Sequence, residues 1–249
     1  MAGRDPNGHT VRSFEEELNQ LTNVIVRMGG LAEAQLAGAI QAIVRRDSDL
    51  AGRVVAGDAR LDEMEQEVHA FTVRLLALRQ PLADDLRAIV GALKISAELE
   101  RIGDYAANVA KRALVLNQNA PVKPVAGIPL MGRLVQEILN DVLDAYVERD
   151  VDKAMAVWRR DEEVDELHTS LFRELVTYMM EDPRNITPST HLMFIAKNIE
   201  RIGDHATNVA ETIHFLVQGK SLTLRRPKGS DASLDGLDGL ADDATRKED

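Results

Sequence analysis

The acidic residues that could do chemistry sit in a stretch the chain carries twice. Residues 100–110 read ERIGDYAANVA and residues 200–210 read ERIGDHATNVA, with nine of eleven letters identical. Glu100 precedes Asp104 by four residues, as Glu200 precedes Asp204. On a helix that spacing stacks two carboxylates on one face, one turn apart. Like charges so placed repel by about 0.2–0.5 kcal/mol. A penalty repeated in both halves implies a cation to relieve it. Asp58/Asp62 and Asp161/Asp165 are two further pairs of the same spacing, related by an offset of 103 residues. Two antiparallel helices that each offer such a pair surround one patch with four carboxylates. Hard cations take that oxygen-rich setting.

The pattern therefore gives two metal-ligand sets: Asp58, Asp62, Glu100 and Asp104 in the first half, and Asp161, Asp165, Glu200 and Asp204 in the second. Asn108 and Asn208 lie one turn further along the same faces and are candidate supporting ligands. His168 follows Asp165 by three residues and could join the second set; its counterpart is Glu65. Gly103 and Gly203 stand mid-helix, where glycine costs about 1 kcal/mol relative to alanine. Their recurrence implies a close approach, by a neighbouring helix or by a ligand shell. The chain has no cysteine, which excludes disulfides, zinc ribbons, iron–sulfur clusters and thiol nucleophiles. A bound metal would be Fe, Mn, Mg or Zn on oxygen and imidazole ligands.

Two other readings of the same acids stand beside this one. They could form the solvated face of a metal-free helical scaffold. They could also belong to a carboxylate-bridged metalloenzyme. Asp-x-x-His occurs once, at Asp165–His168, whereas ferritin-type bundles use Glu-x-x-His pairs. No GxxxxGK[ST], HExxH or G-x-S-x-G motif is present, so no catalytic residue and no organic cofactor is assigned, and no enzyme is expected.

The elements that must position these groups are helices. Aromatic residues make up only 4% of the chain, and Ala, Leu, Val and charged residues dominate, as in helical bundles. With 249 residues and 45% hydrophobic content, one large domain or two small ones can bury a core. The formal charge of −11 argues against a nucleic-acid binder. No apolar run approaches the roughly 18–20 residues of a membrane span, and the N-terminus has no signal-type apolar region. A cytoplasmic protein is expected.

Residues 1–12 read as a flexible tail. Ser13 with Glu16 reads as a capping box that starts the first helix. Leu18, Leu21, Ile25, Met28, Ala32, Leu36, Ile40 and Ile43 give that helix its apolar stripe. Asp47-Ser48-Asp49 ends it and caps a second helix, which stops before Pro81. A third helix from about Ala83 carries the first motif. Residues 119–129, with three prolines, read as a linker. The pattern then repeats, with Thr187 and Pro188 opening the last helix. The expected architecture is all-α, a tandem pseudo-symmetric pair of three-helix bundles over residues 13–118 and 130–218. Residues 219–249 read as a disordered polar tail.

The doubled ERIGD-x-A-x-N, with RQPLADDLR before the first copy, resembles the PhoU family of phosphate-uptake regulators. The resemblance covers roughly residues 14–217. It implies two three-helix bundles whose acidic motifs bind metal ions, in some members as multinuclear iron clusters. It also implies a negative regulator of the phosphate regulon rather than an enzyme. The expected partners are the ATPase subunit of the phosphate ABC importer and the phosphate sensor histidine kinase. Such a protein would lie at the inner face of the plasma membrane without spanning it, often as a homodimer.

Overall fold

In the computed structural model, residues 6–119, 127–224 and 226 are described, with side-chain surroundings from residue 14 onward. Six helices follow one another: α1 (Pro6–Arg45), α2 (Ser48–Arg79), α3 (Ala83–Asn117), α4 (Gly127–Glu148), α5 (Val151–Glu181) and α6 (Ile186–Gln218). No strand occurs among the described residues. The all-α tandem expected from the sequence is what forms.

The turns show the duplication in the backbone. Arg46 and Arg149 both adopt left-handed conformations, at φ 54° and 53°. Asp47 and Asp150 follow as N-caps, each accepting a bond three residues on, from Leu50 N at 2.8 Å and Lys153 N at 3.0 Å. These bonds satisfy amide groups that a helix start leaves without partners. The second hairpin of each half differs. Gln80 and Ala83 turn α2 into α3 through positive φ, whereas a short 3-10 turn, Pro183–Asn185, joins α5 to α6. The offset between the halves shrinks from 103 to 100 residues at this connection.

Three boundaries depart from the sequence reading. α1 begins at Pro6, so Ser13 lies inside the helix and residues 6–12 are not a loose tail. Proline is well suited to a first helical position, where its missing N–H has no partner to lose. α4 begins at Gly127, inside the expected linker, with Pro129 in its first turn. Thr187 is likewise inside α6 rather than its cap. Residues 1–5 and 120–126 lie outside the described residues.

α3 and α6 form the spine, and they run antiparallel. Lys94 lies over the Phe215 ring, Tyr105 stacks on His205 with ring centroids 5.4 Å apart, and Arg112 lies over Phe194. Rising numbers on α3 meet falling numbers on α6, with the two repeated motifs crossing near the middle. α1 and α4 are also antiparallel: Gly29 faces Leu143, Glu33 bonds Asn140, and Ile40 crowds Gly132. Both contacts follow one pseudo-two-fold relation. The apolar stripes on all six helices then close a single core, from Leu21, Ile25 and Met28 through Leu99 and Ile102 to Ile199 and Ile202. Among the described residues no helix is long and apolar enough to cross a membrane.

The two motif glycines are not equivalent. A Cβ on Gly103 would collide with Leu61 Cδ1 and stand 3.0 Å from Gln35 Oε1. A Cβ on Gly203 would meet nothing nearer than Val164 Cγ1 at 3.5 Å, an ordinary contact. The close approach expected at both positions exists only at the first. Gly203→Ala should therefore raise stability by about 0.5–1 kcal/mol through helix propensity. Gly103→Ala should lower it by about 1 kcal/mol, because the fully buried Leu61 must move. Urea unfolding of the two variants checks the opposite signs.

Candidate functional site

α2 and α3 lie side by side, as do α5 and α6, and each pair presents the acids the sequence singled out. On the first pair the i, i+4 spacing puts Asp58 and Asp62 on one wall and Glu100 and Asp104 on the other. Carboxylate oxygens of Asp58, Asp62 and Asp104 all lie within 4.8 Å of one another. A single cation with metal–oxygen distances of about 2.0–2.6 Å can touch oxygens so spaced. Glu100 is outside this trio, half-buried at its edge. Burial and the charges of Asp104, Asp62 and Glu65 push its carboxyl up.

Asp58 carries the clearest sign of strain. Burial first, then the charges of Asp104 and Asp62, push its carboxyl from 3.8 up to about 6. Its Oδ1 is buried with no hydrogen-bond partner. Gln35 Oε1, from α1, is buried and unpartnered beside it, against the same face of Gly103. Two orphaned oxygens next to three converging carboxylates suit a hard cation. Asp58, Asp62 and Asp104 would hold it, and the cation would offset the like charge that Lys111 opposes only in part at Asp58. Gln35 has no acidic signature and no counterpart, since Ile138 occupies the equivalent place on α4, so the repeat gave no signal for it.

The second site is built from the same positions and differs in state. Asp161 is buried, and burial drives its carboxyl up to about 6 against the opposing pull of Arg226. Burial and the Asp204 charge push Glu200 from 4.5 to about 7, while Lys197, 3.2 Å away, pulls it down. Burial likewise raises Asp204. Asp161 Oδ1 accepts from Thr207 Oγ1 at 3.3 Å, a hydroxyl that Ala107 lacks in the first half. Arg226 Nε stands 2.7 Å from Asp161 Oδ2, and its Nη2 stands 3.1 Å from Asp204 Oδ1. Asp165 and His168 lie half-buried on α5. The region after residue 218 was expected to be a disordered tail; residues 219–224 and Arg226 are instead placed, and the rest lies outside the described residues.

The two candidate supporting asparagines each make one hydrogen bond away from the acid pairs. Asn108 Oδ1 accepts from Lys111 Nζ at 3.3 Å, and Asn208 Nδ2 donates to Glu98 Oε2 at 3.0 Å. Both amides are engaged by partners other than the carboxylate pairs. Glu98 is itself a residue the sequence undervalued. It crosses from α3 to His205 Nδ1 at 2.6 Å and so ties the two halves together. His205, a divergence within the repeat, thereby has a structural use. The chain's Glu-x-x-His, Glu211–His214, is not a ligand pair: Glu211 accepts from Trp158 and His214 reaches Lys220 O.

Comparison with known proteins gives a consistent picture. The family description "PhoU domain" matches residues 25–113 and again 128–213. A phosphate-specific transport system accessory protein PhoU homolog of Caulobacter vibrioides (strain NA1000 / CB15N) is 58% identical over 221 residues, covering 88% of this chain and 96% of that protein. The homolog of the same name from Rhizobium meliloti (strain 1021) is 48% identical over 223 residues, covering 89% of this chain and 94% of its own. The crystal structure of PhoU from Pseudomonas aeruginosa superposes with a TM-score of 0.81 at 40% identity, covering 83% of this chain and 100% of that one.

The raised Glu200 carboxyl makes a pH prediction. A group whose native value lies above its unfolded value binds its proton more tightly when folded, so its contribution is complete below pH 4.5 and is lost as pH rises toward 7. In chelator, the parent should lose on the order of 3 kcal/mol over that window from this one carboxyl. Glu200→Gln should lack that share of the slope. Urea midpoints measured at half-unit pH steps compare the two; parallel curves would contradict the assignment.

Proposed function

This chain belongs to the PhoU family, and on that premise we propose that it is a negative regulator of the phosphate regulon and a modulator of phosphate uptake. The observation that carries this reading is the double match of the family to both helical repeats, each match containing two of the carboxylate pairs. The relatives' printed names associate them with the phosphate-specific transport system. Carried to this chain, that association makes the ATPase subunit of a phosphate ABC importer one partner and the phosphate sensor histidine kinase the other. The protein acts between them as an adaptor at the inner face of the plasma membrane, in the cytoplasm and as a homodimer. It performs no catalysis of its own.

The acidic sites fit this role as metal-bearing patches. Six of the eight carboxylates are at least partly buried, and five of them, Asp58, Glu100, Asp161, Glu200 and Asp204, are raised by burial and by like-charged neighbours. A bound cation would neutralise that charge and fix α2 against α3 and α5 against α6. It would thereby set the shape of the two surfaces that a partner meets. Buried metal-binding acids couple metal affinity to folding and pH in this way.

Two outcomes are expected. A deletion strain grown in abundant phosphate should express phosphate-starvation genes constitutively, and repression that stays normal would contradict the regulatory role. Asp104→Ala with Asp204→Ala should remove most of the metal that copurifies with the protein, read by elemental mass spectrometry. Parent-level metal in the double variant would place the ion elsewhere.

A further inference from the structure

The second acidic site already contains a cation, and it comes from the chain's own C-terminal segment. Arg226 Nη2 donates to Asp161 Oδ1 and to the Asp204 carbonyl, both at 3.1 Å. Its Nε lies 2.7 Å from Asp161 Oδ2, and Nη2 lies 3.1 Å from Asp204 Oδ1. The guanidinium thus spans α5 and α6 between two of the predicted metal ligands. Its side chain is 20% exposed and that of Asp161 is 4% exposed, so this is a seated group rather than a surface pair. A planar guanidinium is the side chain best suited to bridge carboxylates in this way.

The route of the chain supports the seating. From Asp204 to Gln218 the helix rises about 21 Å at 1.5 Å per residue. The stretch from Gln218 to Arg226 reaches about 28 Å at most when extended. The segment must therefore reverse at once and run back along α6. Gly219 makes that reversal, in the left-handed region at φ 69°, with its N–H bonded to Phe215 O at 2.9 Å. His214 meets Lys220 O, and Leu222 then packs on the core, which lays the segment against the bundle. Among the described residues the first site has no such feature. Lys111 acts on Asp58 there through its charge, and its amine bonds Asn108.

We infer that Arg226 is an internal stand-in for the metal at the second site, so that metal binding there and docking of residues 219–226 exclude each other. Arg226 engages both oxygens of Asp161 and one of Asp204, so a metal that takes those oxygens must displace it. The duplicated sites then load unequally: the first takes metal directly, whereas the second takes it only by releasing the segment. This rests on the metal reading of the acidic patches proposed above. It adds a competitor that the repeat pattern does not contain.

The test uses the full chain and Mn2+ alone. Asp62→Asn with Asp104→Asn silences the first site, and calorimetry then reads the second. In that background Arg226→Gln should tighten Mn2+ binding by about tenfold or more, a usual size for coupling between linked events. Arg226→Lys should lie between, because it keeps the charge and loses the fork. In the unaltered protein, hydrogen exchange over residues 219–226 should speed up on Mn2+ saturation. Helix content by circular dichroism should be the same in all variants. Equal Mn2+ affinity with and without Arg226, or exchange of the segment unmoved by Mn2+, would overturn the inference while leaving metal at the first site intact. Failure of every variant and the parent to bind Mn2+ would instead bring down the metal reading, and this inference with it.

Discussion

Crowded carboxylates on the inner walls of helix pairs are the constraint from which the other features follow. Desolvation disfavours the charged forms of Asp58, Glu100, Asp161, Glu200 and Asp204, and like-charged neighbours disfavour them again. The fold holds them close through apolar contacts elsewhere: the α3–α6 spine fixes the two motifs back to back, and the α1–α4 contact closes the far side. The acids do not hold the bundle together. The bundle forces the acids together, and their raised values at Asp58, Asp161 and Glu200 record that compression.

The two halves answer the same constraint differently. In the first, Gln35 and Asp58 oxygens stay without partners, and Gly103 is needed because Leu61 presses on it. In the second, Thr207, Lys197 and Arg226 bring donors to the acids, although Glu200 Oε2 too is left without a hydrogen bond, and Gly203 has room for a methyl group. The duplicated pairs are arranged differently: Asp58, Asp62 and Asp104 bring oxygens within 4.8 Å of one another, whereas Arg226 stands between Asp161 and Asp204. Divergence then left one short of positive charge and supplied the other from within.

Much of this was legible in the sequence, for a physical reason. Long helices write their core face at steps of three and four, and the first helix's stripe from Leu21 to Ile43 is buried throughout. Internal repetition also lifted the four acid pairs out of a background rich in ordinary surface charge. The misses are of another kind. α1 runs back through Ser13 to Pro6, past Asn7, Gly8 and Thr10, which are poor helix formers, so propensity gave no sign of the longer helix. Glu98 stands in no repeated acid pair, and its partners, His205 and Asn208, are distant in sequence, so no local pattern marks it. Arg226 sits in a polar, aperiodic stretch, where no pattern announces that one guanidinium returns to the bundle.

The account turns on cations occupying the doubled acidic cage. Crystals of the metal-free protein soaked in Mn2+ and measured at the manganese absorption edge test this most directly. The account predicts an anomalous peak among Asp58, Asp62 and Asp104 at low Mn2+. A second peak near Asp161 and Asp204 should appear only at higher Mn2+. Soaked crystals with no peak within coordination distance of the first trio would contradict it.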